Sequence, residues 1–261
     1  MKFYDNSLMH RVVTALRAAR RVLFITGAGI SADSGLPTYR GIGGLYNDRL
    51  TADDMPIELA LSGAMMQREP HIAWKYISQI ERACRGARFN AAHRIIAECE
   101  PYFDAVWVLT QNVEGFHRDA GSRNLIEIHG NIHRLYCSVC DYRIALPDYA
   151  SLTIPPLCPT CAAILRPAVV LFGEFLPEQA LATMREAFSE GFDMVFSIGT
   201  SSTFSYIAEP VLQARRIGIP TVEINPDDTV VSEIVDYKLT SGAAASLLEI
   251  WRRFHTELTH S

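Results

Sequence analysis

RVLFITGAGISADSGLPTYRG, residues 21–41, is the stretch on which the reading of the whole chain turns. Val22-Leu23-Phe24-Ile25 is a short apolar run that passes directly into Thr26-Gly27-Ala28-Gly29-Ile30-Ser31-Ala32, which predicts a buried strand, a tight turn and the start of a helix. Glycine at 27 and 29 lets the backbone turn and approach a pyrophosphate with no Cβ in the way, and the small Ala32 lets the helix pack on a sheet. Backbone N–H groups at such a helix start, with the positive end of its dipole, attract an anion. Taken alone, Gly-x-Gly-x-x-Ala fits an ordinary tight turn equally well, and only the strand-to-helix context makes it informative. Residues 33–41 are rich in turn formers yet carry Tyr39 and Arg40, which predicts a loop that closes over a ligand, with Arg40 for phosphate or ribose and Tyr39 for shielding.

The run GAGISADSGLPTYRG resembles the signature of the sirtuins, the NAD-dependent protein-lysine deacylases, whose usual version has Phe where this chain has Tyr39. The resemblance implies that Gly27, Ala28, Gly29, Ile30, Ser31, Asp33, Tyr39 and Arg40 contact NAD.

Composition agrees with a soluble globular protein. The 261 residues are 49% hydrophobic, enough for a substantial core in one large domain with or without a small module. Net charge is −5, and no Lys/Arg-rich run occurs, so neither nucleic acid nor an anionic membrane is expected as the main partner; a basic peptide is the more natural guest. The N-terminal residues lack the apolar segment of a signal peptide, and no stretch approaches the roughly 18 apolar residues of a membrane span. The expected location is cytoplasmic. Six cysteines, four of them in two Cys-x-x-Cys pairs, do not suggest a disulfide scaffold.

In chain order, Asn6 or Ser7 is expected to cap a first helix with Leu8, Val12, Val13, Leu16 and Ala19 on one face. Residues 42–88 show no strand signal and read as a helical insertion. There, alignment on Trp74 places Ile77 and Ile80 where the desuccinylating branch of the sirtuins carries a Tyr and an Arg for the acyl carboxylate. Neither isoleucine can neutralise a buried carboxylate, which predicts a preference for neutral acyl groups; the competing reading is that both are simply helix core. Residues 89–93, Phe-Asn-Ala-Ala-His, resemble the family's Pro-Asn-x-x-His, with His93 structural.

Residues 105–109 read as a buried strand that delivers Thr110-Gln111-Asn112-Val113-Glu114 to its C-terminal end, the ligand edge of an open α/β sheet. By resemblance to the family's Gln-Asn-Ile-Asp, Gln111 and Asn112 contact the nicotinamide-side ribose, Asn112 also holds an ordered water, and the acidic residue grips the nicotinamide carboxamide. Glu114 is one methylene longer than the usual Asp. His117 is read as structural. Residues 126–130, Ile-Glu-Ile-His-Gly, alternate like a short strand ending at His129, and resemble the pattern that carries the sirtuin general base; imidazole has the unperturbed pKa for proton abstraction near neutrality.

Cys137-x-x-Cys140 and Cys158-x-x-Cys161 flank a spacer of seventeen residues, 141–157. Two such knuckles can set four thiolates at tetrahedral corners, which predicts a structural zinc ribbon with no open position for catalysis. Cys84 and Cys99 lie outside the knuckles and are expected to be buried.

Residues 165–174, LRPAVVLFGE, read as a core strand, and resemble the sirtuin segment that pairs with the substrate backbone. The resemblance implies that Val169 and Phe172 line an acyl-lysine tunnel, with Gly173 and Glu174 beside them. Two further apolar strands end in Gly199-Thr200-Ser201-Ser202 and in Asn225, both of the strand-then-small-polar form of nucleotide contacts. The family uses the first for phosphate and ribose and the second for the adenosine ribose, while Gly242-Ala243-Ala244 matches its adenine-side segment loosely. Leu247, Leu248, Ile250 and Trp251 read as packing in a final helix.

The expected fold is α/β: a doubly wound, mostly parallel Rossmann-like sheet (residues 1–41, 89–130 and 167–261), a helical insertion (42–88) and a zinc module (131–166). The mechanism implied by the resemblance transfers the acyl group of an acyl-lysine protein or peptide to ADP-ribose and releases nicotinamide, with His129 as base and Asp33, Arg40 and Asn112 positioning the cofactor. The chain is expected to act as a monomer. Three competitors stay open: protein mono-ADP-ribosylation, which uses the same activated ribose; a noncatalytic module recruiting partners through its zinc ribbon; and a nicotinamide dehydrogenase. Against the last, residues 45–51, where a ribose-binding acid should end a second strand, have no strand before them.

Overall fold

The computed structural model describes residues 5–38 and 50–258, without the side chains of residues 257 and 258. Tyr39 and Arg40, and residues 42–49 of the expected insertion, lie outside the described residues. The strands are β1 (Arg21–Thr26), β2 (Ala105–Thr110), β3 (Asn124–Glu127), β4 (Gly130–Cys137), β5 (Arg143–Ala145), β6 (Leu165–Val169), β7 (Met194–Ile198), β8 (Thr221–Ile224) and β9 (Tyr237–Leu239). The helices are α1 (Asn6–Ala18), α2 (Ile57–Ala60), α3 (Gly63–Arg68), α4 (Pro70–Cys84), α5 (Ala91–Glu98), α6 (Phe116–Asp119), α7 (Glu178–Ser189), α8 (Ser205–Arg216) and α9 (Ala243–Leu258).

Six strands form one parallel sheet in the order β3-β2-β1-β7-β8-β9. The chain winds outward from β1 through β2 to β3, then resumes on the other side from β7 to β9. The direction of winding reverses between β1 and β7, and the crevice beyond the carboxyl ends of those two strands is where an open α/β sheet takes its ligand. β1 is apolar on successive residues because both its faces are covered. Val22 and Phe24 pack with α1, α5 and α9, whereas Leu23 and Ile25 pack with α7 and α8.

A second core joins α2, α3 and α4 to the three-stranded antiparallel sheet β5-β4-β6 and to Cys137 and Cys158. Trp74 of α4 is fully buried at its centre, and its Nε1–H donates to the Leu165 carbonyl at 2.9 Å. Truncating a side chain this large and enclosed costs about 3–5 kcal/mol.

Several expectations need correction. The cap of α1 is Asp5, not Asn6 or Ser7: its carboxylate accepts from the Ser7 and Leu8 N–H groups. Met9 joins the buried face of α1, and Leu8 packs only at its edge. Residues Ala28–Ser34 form a 3-10 helix and not the start of an α-helix. β3 ends at Glu127, which leaves Ile128 and His129 in the turn before β4. Leu248 is 46% exposed and does not belong to the packed face of α9.

Candidate active site

A cleft of about 840 Å³ opens at the switch point. The β1 and β7 loops form its floor, and their glycines interlock. A Cβ at Gly29 would stand 2.6 Å from Gly199 Cα, and one at Gly199, whose φ is +58°, would stand 2.4 Å from the Ile30 nitrogen. The loops are tied by the Gly29 N–H, which donates to the Gly199 carbonyl at 2.8 Å, and by the Gly27 N–H, which donates to Ile198 at 3.1 Å. Gly27 itself is extended, with φ −129°. The need at 27 and 29 is therefore close approach of two backbones, not freedom to turn.

Most of the expected site residues line this one cleft: Gly27, Ala28, Gly29 and Asp33 from the first loop; Gln111, Asn112 and Val113 after β2; His129; Val169, Phe172, Gly173 and Glu174; Gly199, Thr200 and Ser201; Asn225; Ala243; and Ile77 and Ile80 of α4. The loops hold one another through side chains. Gln111 Nε2 donates to Thr200 Oγ1 at 2.7 Å, and Asn225 Nδ2 donates to the Thr200 carbonyl at 3.1 Å. Asp33 accepts from the Ala244 N–H at 3.0 Å, fastening the start of α9 to the floor beside Ala243. Glu174 is paired with Arg166 at 2.8 Å and accepts from the Leu171 N–H, which fixes the bend after β6. That bend turns the chain from β4 to the insertion, where the Phe172 N–H donates to the Leu61 carbonyl at 2.9 Å and the Gly63 N–H donates to the Phe172 carbonyl at 3.0 Å.

Ile30 does not line the cleft; it is fully buried behind it. Ser31 and Glu114 instead meet Asn112, Ala28 and Ile80 around a small adjoining cavity. The Ser31 hydroxyl donates to Glu114 Oε1 at 2.7 Å, and Asn112 Nδ2 reaches Glu114 Oε1 at 3.0 Å and the Gly27 carbonyl at 3.1 Å. Burial pushes the Glu114 carboxyl above its ordinary pKa, against these hydrogen bonds. Next to it, His93 Nδ1 accepts from the Asn90 N–H at 3.3 Å and completes the cap of α5, and His117 Nε2 meets Thr26 Oγ1 at 2.9 Å. Both imidazoles are buried and held neutral by desolvation, in keeping with structural roles.

His129 is different, because it faces the cleft. Its Nδ1 lies 3.0 Å from the Gln111 carbonyl oxygen, which can only accept, so Nδ1 carries the hydrogen and Nε2 the lone pair. Burial lowers the imidazole pKa. A neutral ring with its lone pair toward a cleft is the arrangement of a general base.

The four cysteines stand apart from the cleft. Their Sγ atoms all lie within 4.8 Å of one another, with Cys137 and Cys161 at 3.4 Å and Cys140 and Cys158 at 3.6 Å. A tetrahedral ZnS₄ centre with bonds of about 2.3 Å has edges of roughly 3.8 Å, so the thiolates suit one zinc ion and leave no open coordination position.

A model of the Sir2 family matches residues 27–205, more than half of the chain. The chain belongs to the Sir2 family. Among curated Sir2 relatives, NAD-dependent protein deacylase 2 of Pseudomonas aeruginosa is 51% identical over 242 residues, spanning 92% of this chain and 94% of that protein. Its namesake from Pseudomonas syringae pv. tomato is 50% identical over 245 residues, spanning 93% and 98%. The crystal structure of a Sir2 homologue–NAD complex superposes with a TM-score of 0.84 at 31% identity, covering 95% of this chain and 94% of that one. A Sir2–p53 peptide–NAD⁺ structure gives 0.79 at 28% identity, covering 97% and 99%. The doubly wound sheet with its zinc ribbon is the fold shared with these Sir2 structures.

Among the cleft residues that the sequence reading did not single out are Ile57, Leu61 and Ile132, and also Phe204 and Tyr206. Phe204 precedes α8 and Tyr206 lies in its first turn. Nothing local signals that they meet His129, which lies 77 residues from Tyr206.

Proposed function

We propose that the protein is an NAD-dependent protein-lysine deacylase that prefers neutral acyl groups, with His129 as general base, working as a cytoplasmic monomer with neither nucleic acid nor membrane as partner. The names of the close relatives support deacylation over mono-ADP-ribosylation. The observation that carries the reading is the neutral His129 facing the same cleft as the interlocked glycine loops. NAD, when bound there, would supply an anomeric carbon activated by its nicotinamide leaving group; overall, acyl-lysine, NAD and one water would give free lysine, nicotinamide and O-acyl-ADP-ribose.

The chain's own contribution is to place these reactants and move protons. The β1 and β7 loops bring backbone without side chains at Gly27, Gly29 and Gly199 to the cleft floor, which lets an anion approach closely. His129 takes a ribose hydroxyl proton at Nε2. Ser31, Asn112 and Glu114 form a polar end suited to an amide such as nicotinamide, with the Glu114 carboxyl as acceptor. An extended peptide is assigned to the bend at Val169–Glu174, where main-chain groups can pair with it, and a peptide substrate is in keeping with the Sir2–p53 peptide–NAD⁺ structure. Alignment of reacting groups in a closed site accounts for much of the rate in such displacements. Among the described residues, no helix is long and apolar enough to cross a membrane.

Acyl preference follows from the apolar wall. Ile57, Leu61, Ile77, Ile80 and Ile132 face the cleft, and no Lys or Arg among the described residues lines it. Among the described residues a succinyl carboxylate buried there would find no cation, and an unpaired buried carboxylate costs several kcal/mol. Mass spectrometry of a reaction with NAD and acetyl-lysine peptide should show free peptide and O-acetyl-ADP-ribose, both lost in His129→Ala. ADP-ribosylated protein in their place would overturn deacylation, and faster turnover of succinyl-lysine than acetyl-lysine peptide would overturn the acyl preference.

A further inference from the structure

Both ring nitrogens of His129 are engaged. With the hydrogen on Nδ1 facing Gln111, the Nε2 lone pair can only accept, and the Tyr206 hydroxyl lies 2.7 Å from it. The phenol is therefore the donor. Tyr206 is held for this contact: it sits in the first turn of α8, and its ring stacks on Phe204 with centroids 5.4 Å apart and planes 14° from parallel. Both rings stand edge-on to the imidazole, with centroids 6.0 Å away. The atom that has to receive the substrate proton is thus already occupied by a protein group.

We propose that Tyr206 is a positioning residue for the base: its hydroxyl holds Nε2 toward the cleft in the free enzyme, then yields that lone pair to the ribose hydroxyl once the cleft fills. The inference rests on the assignment of His129 as base. In the transfer the ribose O–H bond breaks and an N–H bond forms at Nε2, while the phenol keeps its own proton. Burial raises the phenol pKa to about 12, so it stays a donor throughout the working range.

A donor at Nε2 stabilises the neutral imidazole and so keeps the base form available at lower pH. Among the described residues, Asp33, Glu58, Glu174, Asp227 and Asp228 are the charged groups that line the same cleft, and none of them is a hydrogen-bond partner of His129. Gln111 and Phe204 are neutral, Glu127 of β3 is paired with Arg118, and Glu174 beyond β6 is paired with Arg166. A change in His129 titration on loss of the hydroxyl therefore reports the Tyr206 contact.

Tyr206→Phe keeps the ring stack and removes only the hydroxyl. The His129 pKa is read by NMR titration of the isotope-labelled, ligand-free enzyme, with the resonance assigned by its loss in His129→Gln. The expected result is a rise of roughly 0.5–1 pH unit in Tyr206→Phe, from loss of one hydrogen bond to the neutral form. The acid limb of the kcat/KM profile for acetyl-lysine peptide should move up by the same amount. An unchanged His129 pKa would overturn the proposal, as would a shifted pKa with an unmoved acid limb. Should the unaltered enzyme turn over no acyl-lysine peptide, the deacylase reading fails separately, and the titration by itself decides the Tyr206 contact.

Discussion

Replacing Gly29 by Ala tests the interlocked loops directly. The new Cβ would lie 2.6 Å from Gly199 Cα, 2.9 Å from Gly199 O and 3.1 Å from Gly199 C. Carbon atoms in good contact sit about 3.5–4.0 Å apart, so the two loops must part by about 1 Å. All three opposing atoms are backbone, and no rotamer change relieves the clash. Such a parting stretches the Gly29 N–H to Gly199 carbonyl bond, now 2.8 Å, beyond hydrogen-bonding range. Overpacking costs about 1–3 kcal/mol and an unmade buried hydrogen bond about 1–3 kcal/mol. One movement relieves the first by incurring the second, which gives a net loss of roughly 2–4 kcal/mol. Gly35→Ala is the control. Its φ of +82° imposes left-handed strain of about 1–2 kcal/mol, yet nothing lies within 4 Å of the added methyl group. Urea unfolding should rank Gly29→Ala well below Gly35→Ala, and calorimetric titration with NAD should show binding lost only in the former. Equal unfolding midpoints with NAD affinity intact in both would refute close approach as the reason for glycine at 29.

Two further outcomes are expected. Burial holds the His93 pKa at about 4, against about 6.5 for a free histidine, so between those values the unfolded chain binds a proton that the folded chain refuses. The associated stability is intact above pH 6.5 and falls by about 3 kcal/mol on acidification to pH 4; stability–pH curves should flatten in His93→Gln, and an unchanged slope would reject the assignment. Zinc removal should disturb more than the ribbon, since Cys137 and Cys158 share a core with Trp74, Ile77 and Ile80, the last two facing the cleft. Chelation should therefore shift tryptophan fluorescence and abolish activity together, whereas a metal-free protein that unfolds cooperatively and keeps full activity would contradict a structural centre.

Much of the site was legible because its signals are local. An uninterrupted apolar run such as residues 22–25 requires cover on both faces, which a parallel sheet under helices provides. Cys-x-x-Cys spacing is a property of the knuckle itself, and the thiolates of residues 137, 140, 158 and 161 do converge. Local signals misled at helix starts. The cap of α1 falls on Asp5 and not on its neighbours Asn6 or Ser7, and the 3-10 turn of Ala28–Ser34 ends at Gly35, held by the Gly35 N–H to the Ala32 carbonyl, before an α-helix can propagate.

Periodicity and spacing, which act over a few residues, determined the strand-turn form around Gly27 and the four-thiolate centre, and the resemblance to the sirtuin motifs singled out Asn112 and His129 and completed the doubly wound class. Only the tertiary structure decided what those residues do to one another. The reversal of winding between β1 and β7 brings Gly29 against Gly199, though 170 positions separate them, and makes both glycines obligatory by contact. The same topology sets Tyr206 on the lone pair of His129. Contacts of this kind depend on strand order and loop closure over the whole chain, and a short segment carries no record of which distant backbone will lie beside it.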